Sequence, residues 1–305
     1  MSSFNWKRSL GRGESEEGET KMQRRMLGKT GAVLSVVGVG GLVPTGEKPS
    51  RVSQIVARAV DRGVDFFDTG PCYSDSEELL GLALRPYRKS VFLACKTDGR
   101  TSKEALRELH QSMRRLKTDY FDLYQLHAVV TLEEVAQITG PKGALETLVK
   151  AQEQGLARYL GFSAHSEEAA LALLDQFDFD SVLFPFNWVS WHQGNFGPAV
   201  LARAQQKGVG ILAIKALAKR KLGEGEKKRW PKCWYVPVDS GDEASLALRF
   251  VLSKPVTSAV SPSHAEFLSW ACDIADRFEP LSREEEELVA KSSEGLEPIF
   301  TKDRA

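Results

Sequence analysis

Four side chains of different chemistry each follow closely on a short apolar run. Asp68 closes Val64-Asp-Phe-Phe, Tyr73 stands five residues on, Lys96 closes Val91-Phe-Leu-Ala-Cys, and His127 closes Phe121-Asp-Leu-Tyr-Gln-Leu. Residues of these types can deliver a proton. A tyrosine titrates near pH 10 and donates poorly at neutral pH unless its pKa is perturbed. A nearby ammonium favours the phenolate and lowers that pKa, each unit being worth about 1.4 kcal/mol, and a carboxylate keeps the lysine charged and oriented. A histidine beside them can hydrogen-bond a substrate oxygen and polarise it. The chemistry that needs such a set is protonation of an alkoxide, as arises when a hydride reaches a carbonyl carbon. Ser163, Lys215 and Ser261 close apolar runs as well. Any one such residue is commonly structural, whereas their recurrence at run after run points to a shared rim.

The side chains meet only if the runs are strands ending on one side of the molecule. Apolar or β-branched runs recur at 35–40, 64–68, 91–95, 121–126, 157–162, 181–184, 209–214 and 256–260. Helical spacing follows at 51–61, 77–84, 102–116, 143–153, 167–176, 198–207 and 243–252. Ser50, Ser102 and Ser166 read as helix caps, and Gly63, Gly155 and Gly208 as stops. Repeated strand-helix units within about 250 residues predict an α/β fold of the closed (β/α)8 TIM-barrel type, whose sites lie at the C-terminal ends of the strands. A doubly wound sheet has fewer strands and a Gly-rich first turn. Gly38-Val-Gly-Gly41 lacks the third glycine of the dinucleotide fingerprint, with Val43 there instead, and Pro44-Thr45-Gly46 follows it rather than a helix. Residues 1–22, rich in Ser, Gly, Glu and basic residues, are expected to be a disordered tail. Residues 23–305 then form one barrel domain, with an N-terminal hairpin and an extra C-terminal helix opening near Ser282, its first turn carrying Glu284 to Glu287.

Composition narrows the ligands. Lys plus Arg and Asp plus Glu balance at 41 each, so no global field draws the chain to nucleic acid or an anionic membrane, and a small molecule is the expected partner. Cys72, Cys95, Cys233 and Cys272 form no C-x-x-C pair and read as reduced thiols of a cytoplasmic protein. Arg24-Arg25 before an apolar stretch superficially resembles a twin-arginine export signal. Lys29 interrupts that stretch, and its alternation and glycines suit a hairpin and a strand. No run of about 20 apolar residues exists to span a membrane. No metal is expected, since His110, His127, His165, His192 and His264 show no ligand spacing with the cysteines. Gly161-Phe-Ser-Ala-His165 falls one glycine short of a hydrolase nucleophile elbow.

Three segments carry a family likeness. Asp65-Phe-Phe-Asp68-Thr-Gly-Pro-Cys-Tyr73, Leu93-Ala-Cys-Lys96-Thr and Asp122-Leu-Tyr-Gln-Leu-His127 resemble, in order and spacing, the signature of the aldo-keto reductases. Arg25-Met-Leu-Gly-Lys-Thr-Gly31 resembles the family's opening hairpin and Gly155-Leu-Ala-Arg-Tyr-Leu-Gly-Phe-Ser163 its fifth strand, so the likeness covers roughly residues 24–270. It implies a carbonyl reductase with Tyr73 as general acid, Lys96 and Asp68 tuning it, and His127 orienting an aldehyde or ketone. It also implies a nicotinamide dinucleotide, NADP(H) in preference to NAD(H), held by Gly41, Asp68, Ser163, His165, Asn187, Lys215, Leu217, Ser261 and Ser263.

Several cofactor positions depart from the family pattern. Ala164-His165 stands where an Asn usually follows the fifth strand, and Asn187 is the nearest amide to the sixth-strand Gln. Ile214 replaces a stacking aromatic, and residues 261–268 hold no Arg or Lys for a 2′-phosphate. Lys215, Lys219 or the basic 219–241 loop, with Trp230, Trp234 and Tyr235, are the alternative sources of charge. That loop reads either as a lid or as a surface loop docking its tryptophans. Trp188, Trp191 and Phe196 suit an aromatic pocket or the core alike. The weakened positions leave a second reading, a non-catalytic barrel that senses nicotinamide nucleotides.

Overall fold

The computed structural model describes residues 22–302. Two short strands, β1 (Arg24–Met26) and β2 (Val33–Ser35), pair antiparallel. Seven barrel strands follow: β3 (Val37–Gly40), β4 (Phe66–Asp68), β5 (Phe92–Thr97), β6 (Phe121–Val129), β7 (Ala157–Ala164), β8 (Ser181–Pro185) and β9 (Gly210–Ile214). A two-stranded ribbon of β10 (Ala218–Arg220) and β11 (Val236–Pro237) intervenes before β12 (Ser258–Val260). The barrel closes when β12 pairs in parallel with both β9 and β3, Ala259 opposite Ala213 and Val260 opposite Gly38.

Helices ring the barrel in chain order: α1 (Pro49–Asp61), α2 (Ser76–Ala83), α3 (Ser102–Leu116), α4 (Leu132–Thr139), α5 (Ala144–Glu153), α6 (Glu167–Gln176), α7 (Trp188–His192), α8 (Pro198–Lys207), α9 (Gly241–Leu252), α10 (Ala265–Ala275) and α11 (Arg283–Ser292). No described helix is long and apolar enough to cross a membrane. Apolar residues form two bodies. Phe66, Phe92, Leu123, Leu183 and Leu212 fill the barrel interior, with Leu27 and Leu34 of the hairpin closing its floor. A larger body lies between the strands and the helices. The floor demands a glycine: a Cβ at Gly210 would stand 2.4 Å from Leu27 Cδ1.

The architecture matches the sequence expectation, with local corrections. Ser35 belongs to the hairpin rather than the first barrel strand, and β6 and β7 run past 126 and 162. The cap expected at Ser50 is displaced because α1 opens on Pro49, whose missing N–H suits a first turn. Thr101, not Ser102, caps α3, trading hydrogen bonds with Glu104 in a capping box. Ser166 and Ser282 do cap α6 and α11. Helices α4, α7 and α10 escape the periodicity: α7 is too short, and α10 buries Phe267, Leu268, Ala271 and Cys272 with little polar contrast. Of the expected tail, residues 1–21 lie outside the described residues, while Met22 is buried against the barrel.

Candidate active site

Pleat and register assemble the polar rim. Asp68 pairs with Ala94 across β4 and β5, and Lys96 pairs with Gln125 across β5 and β6. Alternation along β6 puts Gln125 on the face of Leu123, inside the barrel. Asp68, Lys96 and Gln125 thus form a polar layer on top of an apolar one. Lys96 is fully buried, and its Nζ donates to Asp68 Oδ2 at 2.5 Å and to the Thr69 carbonyl at 3.0 Å. Gln125 Nε2 donates to the other Asp68 oxygen at 3.0 Å. Burial alone would lower the Lys96 ammonium, but the Asp68 carboxylate holds it above its ordinary value.

Tyr73 comes from the loop after β4. Its ring lies 5.2 Å from Lys96 Nζ, and its hydroxyl is 3.3 Å from His127 Nε2. The expected downward shift of Tyr73 does not occur. Burial pushes the phenol up, Lys96 pulls it down, and Asp68 adds to the upward push, so the net direction is upward. The ammonium is already neutralised by its own carboxylate, so its pull is too small to outweigh burial. A raised phenol stays protonated at neutral pH and is the weaker donor for it, so its release of a proton depends on the neighbouring Lys96 ammonium.

His127 reaches the rim through an irregularity. The β6–β7 register shifts between Leu126 and Val129, and Ala128 takes a φ of 48°, the kind of bulge that re-aims a side chain at a barrel rim. The distorted segment is braced from outside. Arg100 Nη2 donates to the His127 carbonyl at 2.9 Å while its Nε pairs with Glu134 of α4 at 2.8 Å. The Ala128 N–H donates to Ser163 Oγ at 2.7 Å. Asp98 Oδ1 stands 2.6 Å from His127 Nδ1, and this bond holds the Asp98 carboxyl below its usual range despite burial. The Asp98 loop is fixed by Glu108 of α3, whose Oε2 accepts from Thr97, Asp98 and Gly99. Cys72 Sγ lies 3.5 Å from the same Nδ1; the residue is exposed, yet enough protein surrounds the thiol for desolvation, and then the Asp98 charge, to push it up to about 12.

Not all the expected cofactor positions gather in one place. Gly41, Lys215, Ser261 and Ser263 line a cavity with Asp68 and Tyr73, roofed by Lys232, Cys233, Trp234 and Tyr235 of the loop between β10 and β11. Ser163, His165, Asn187 and Leu217 lie outside that lining. Asn187 caps α7, its Oδ1 accepting from the Ser190 N–H at 2.8 Å, and Leu217 is buried. His165 stacks on Phe300 at 5.3 Å, and its pKa falls to about 3 through burial and then the charges of Lys215 and His127. Lys215 has a φ of 64° and lies 5.9 Å from the Trp234 ring and 5.8 Å from that of Tyr235. Burial, aided by Lys96, lowers its ammonium to about 8.

The roof loop shares features of both readings. Trp230 docks on Phe267 at 4.5 Å, and Cys233 Sγ is 3.0 Å from Ser263 Oγ. Lys232 ties it across the mouth to the Val43 carbonyl and Glu47. The cavity, partly open to solvent, holds only about 60 Å³, below the roughly 300 Å³ of the smallest ordinary ligand pockets.

Sequence reasoning missed Gln125, Asp98, Cys72 and Arg100. Gln125 was within reach, since it precedes His127 by two residues on the same strand and face. Asp98 and Cys72 carry no such signal, because only loop geometry turns them toward His127.

The chain is similar to known proteins. A model of the Aldo/keto reductase family matches residues 37–233. The aldo-keto reductase YhdN of Bacillus subtilis is 32% identical over 139 residues, 38% of this chain and 42% of that one. L-galactose dehydrogenase of Arabidopsis thaliana is 27% identical over 232 residues, 69% of this chain and 70% of that one. The chain spans about half, or less, of the length of the first curated relatives it matches. The holo structure of aldo-keto reductase AKR11C1 from Bacillus halodurans superposes with a TM-score of 0.73 at 22% identity, covering 92% of this chain and 99% of that one, and shares its fold. With a match over residues 37–233, spanning all but the last strand of the closed barrel, the chain belongs to the aldo/keto reductase family.

Proposed function

We propose that the chain reduces aldehydes or ketones with a nicotinamide nucleotide, Tyr73 delivering the proton. One observation carries this reading: a fully buried Lys96 bound to Asp68 lies against the ring of a tyrosine whose hydroxyl faces His127 at 3.3 Å. A barrel held together by packing alone has no need of a buried lysine at its mouth.

The residues present fit the cofactor at two points. Among the described residues Lys215 forms no ion pair, so its ammonium is free to meet a pyrophosphate. Gly41 lets the backbone pass close beside the acid, since a Cβ there would stand 2.6 Å from Tyr73 Cδ2 and 3.0 Å from Thr69 Oγ1. Lys215, Ser261 and Ser263 would hold the phosphates and Gly41 would border the ring; bound there, the reduced nicotinamide supplies hydride to the carbonyl carbon. His127 hydrogen-bonds the carbonyl oxygen, Tyr73 passes it the phenolic proton, and Lys96 stabilises the charge left on the tyrosine. NADPH is the preferred form in this reading. In this reading the positive charge missing after β12 is supplied by Lys232 of the roof loop, which would exchange its contact with Glu47 for the phosphate and already lies close enough to His264 to lower its pKa alongside burial.

Parallel fluorescence titrations with NADPH and NADH test the reading, together with aldehyde turnover by wild type and Tyr73→Phe. NADPH should bind more tightly, and Lys232→Ala should narrow the gap. Tyr73→Phe should retain cofactor binding and lose turnover by about 10²–10⁴-fold. Full turnover by Tyr73→Phe would remove the proposed acid, failure to bind either nucleotide would remove the enzyme, and binding without turnover in wild type would favour the sensing barrel.

A further inference from the structure

Three potential metal donors converge beside the proton-delivery set without belonging to it as a group. Cys72 Sγ, Asp98 Oδ1 and His127 Nδ1 all lie within 4.8 Å of one another. They come from three separate segments, the loop after β4, the loop after β5, and the bulged end of β6. Each segment is held by contacts of its own: Thr45 Oγ1 donates to the Tyr73 carbonyl, Glu108 fixes the Asp98 loop, and Arg100 fixes the His127 backbone. The donors are therefore presented by a scaffold rather than by one mobile loop.

Their chemistry is selective. Thiolate, imidazole and carboxylate together suit zinc and its neighbours, whereas Mg²⁺ and Ca²⁺ require oxygen donors. Zn–S near 2.3 Å and Zn–N near 2.0–2.1 Å set tetrahedrally arranged donors roughly 3.3–3.7 Å apart. The 3.5 Å between Cys72 Sγ and His127 Nδ1 already meets that spacing. Asp98 Oδ1, at 2.6 Å from the same nitrogen, is too close, but its side chain is 43% exposed and can withdraw. Cys72 is exposed too, whereas Cys95, Cys233 and Cys272 are buried, so an ion has a path to this thiol and an open fourth position for water.

We propose that Cys72, Asp98 and His127 form a site for a zinc-class divalent cation on the rim of the active site, and that its occupation inhibits turnover. Only the inhibition rests on the reductase reading. An ion held there ties the His127 ring to the rim through Nδ1. Its open position competes with Tyr73 and His127 for the carbonyl oxygen of the substrate.

The test uses the full-length protein, freed of metal with a chelator, and Co²⁺ as a spectroscopic probe. Wild type should bind one equivalent with a near-ultraviolet thiolate-to-cobalt band, and Cys72→Ser should lose the band and bind at least tenfold more weakly. Zn²⁺ should cut wild-type aldehyde turnover at least tenfold, while Cys72→Ser keeps its metal-free turnover and resists the ion. A cobalt spectrum with no thiolate band, or one unchanged in Cys72→Ser, overturns the site. A Cys72-dependent band with turnover untouched by Zn²⁺ overturns the inhibition. If the metal-free protein reduces no aldehyde at all, the reductase reading fails, and the cobalt spectrum still decides the site.

Discussion

Lys96 carries a full charge in a place with no water, and it is tolerated because Asp68 and the Thr69 carbonyl surround its ammonium. Removing one partner of such a pair strands the other. Lys96→Met should cost about 3–5 kcal/mol of unfolding free energy in urea titrations, and the Asp68→Leu/Lys96→Met double variant should cost less than the two singles summed. The pH dependence has a definite sign. The folded-state pKa of Lys96 is raised, so its stabilisation is fully present below the ordinary 10.5 and is lost only as pH climbs above that value. Stability between pH 7 and 10 should therefore show no loss attributable to this pair. Asp68, Lys96 and His127 were legible in the sequence because each closes an apolar run, and Tyr73 because it stands in the segment that resembles the family signature. The direction of the Tyr73 shift was not, because burial outweighs the neighbouring charge and burial is a property of the fold.

At the scale of elements, strands were easier to find than the segments that hold the site. The strands are short apolar runs, and alternation alone sets which residues face inward. The His127 segment depends on a bulge, on Arg100, and on α4, a short helix with a capping box at Thr131 and Glu134. The loop between β10 and β11 roofs a cavity of about 60 Å³ beside Tyr73. The proposed dinucleotide would need more room than this, which movement of that loop would provide. Arg229, its side chain 69% exposed, gives trypsin access to the loop. If cleavage requires opening and the nucleotide holds the loop shut, NADPH at a hundred times its Kd should slow cutting about 100-fold. Cleavage at an unchanged rate, followed on a gel, would show that the loop does not close over the ligand.

Across the whole molecule, barrels of this kind divide the labour of their two rims between function and stability. Asp122, buried at the N-terminal end of β6, accepts from Arg88 and Arg158 at 2.9 Å each and from the Leu93 N–H at 3.0 Å. It joins β5, β6 and β7 at the rim opposite Tyr73. Asp122→Ala should cost about 3–5 kcal/mol in chemical denaturation and leave kcat unchanged at temperatures where the variant stays folded. A large fall in kcat for the folded variant would show that the rims are not separable.

The sequence by itself determined the barrel and the order of its strands and marked the candidate polar residues of its rim, because period-two and period-3.6 patterns are local and a polar residue after an apolar strand can be seen without a fold. Only the tertiary structure decided which of those residues meet, the upward shift of Tyr73, the helix-capping position of Asn187, the partial closing of the mouth and the approach of Cys72 and Asp98 to His127. Those outcomes depend on loops from different strands arriving at one point, and no spacing along a single chain records the distance between them.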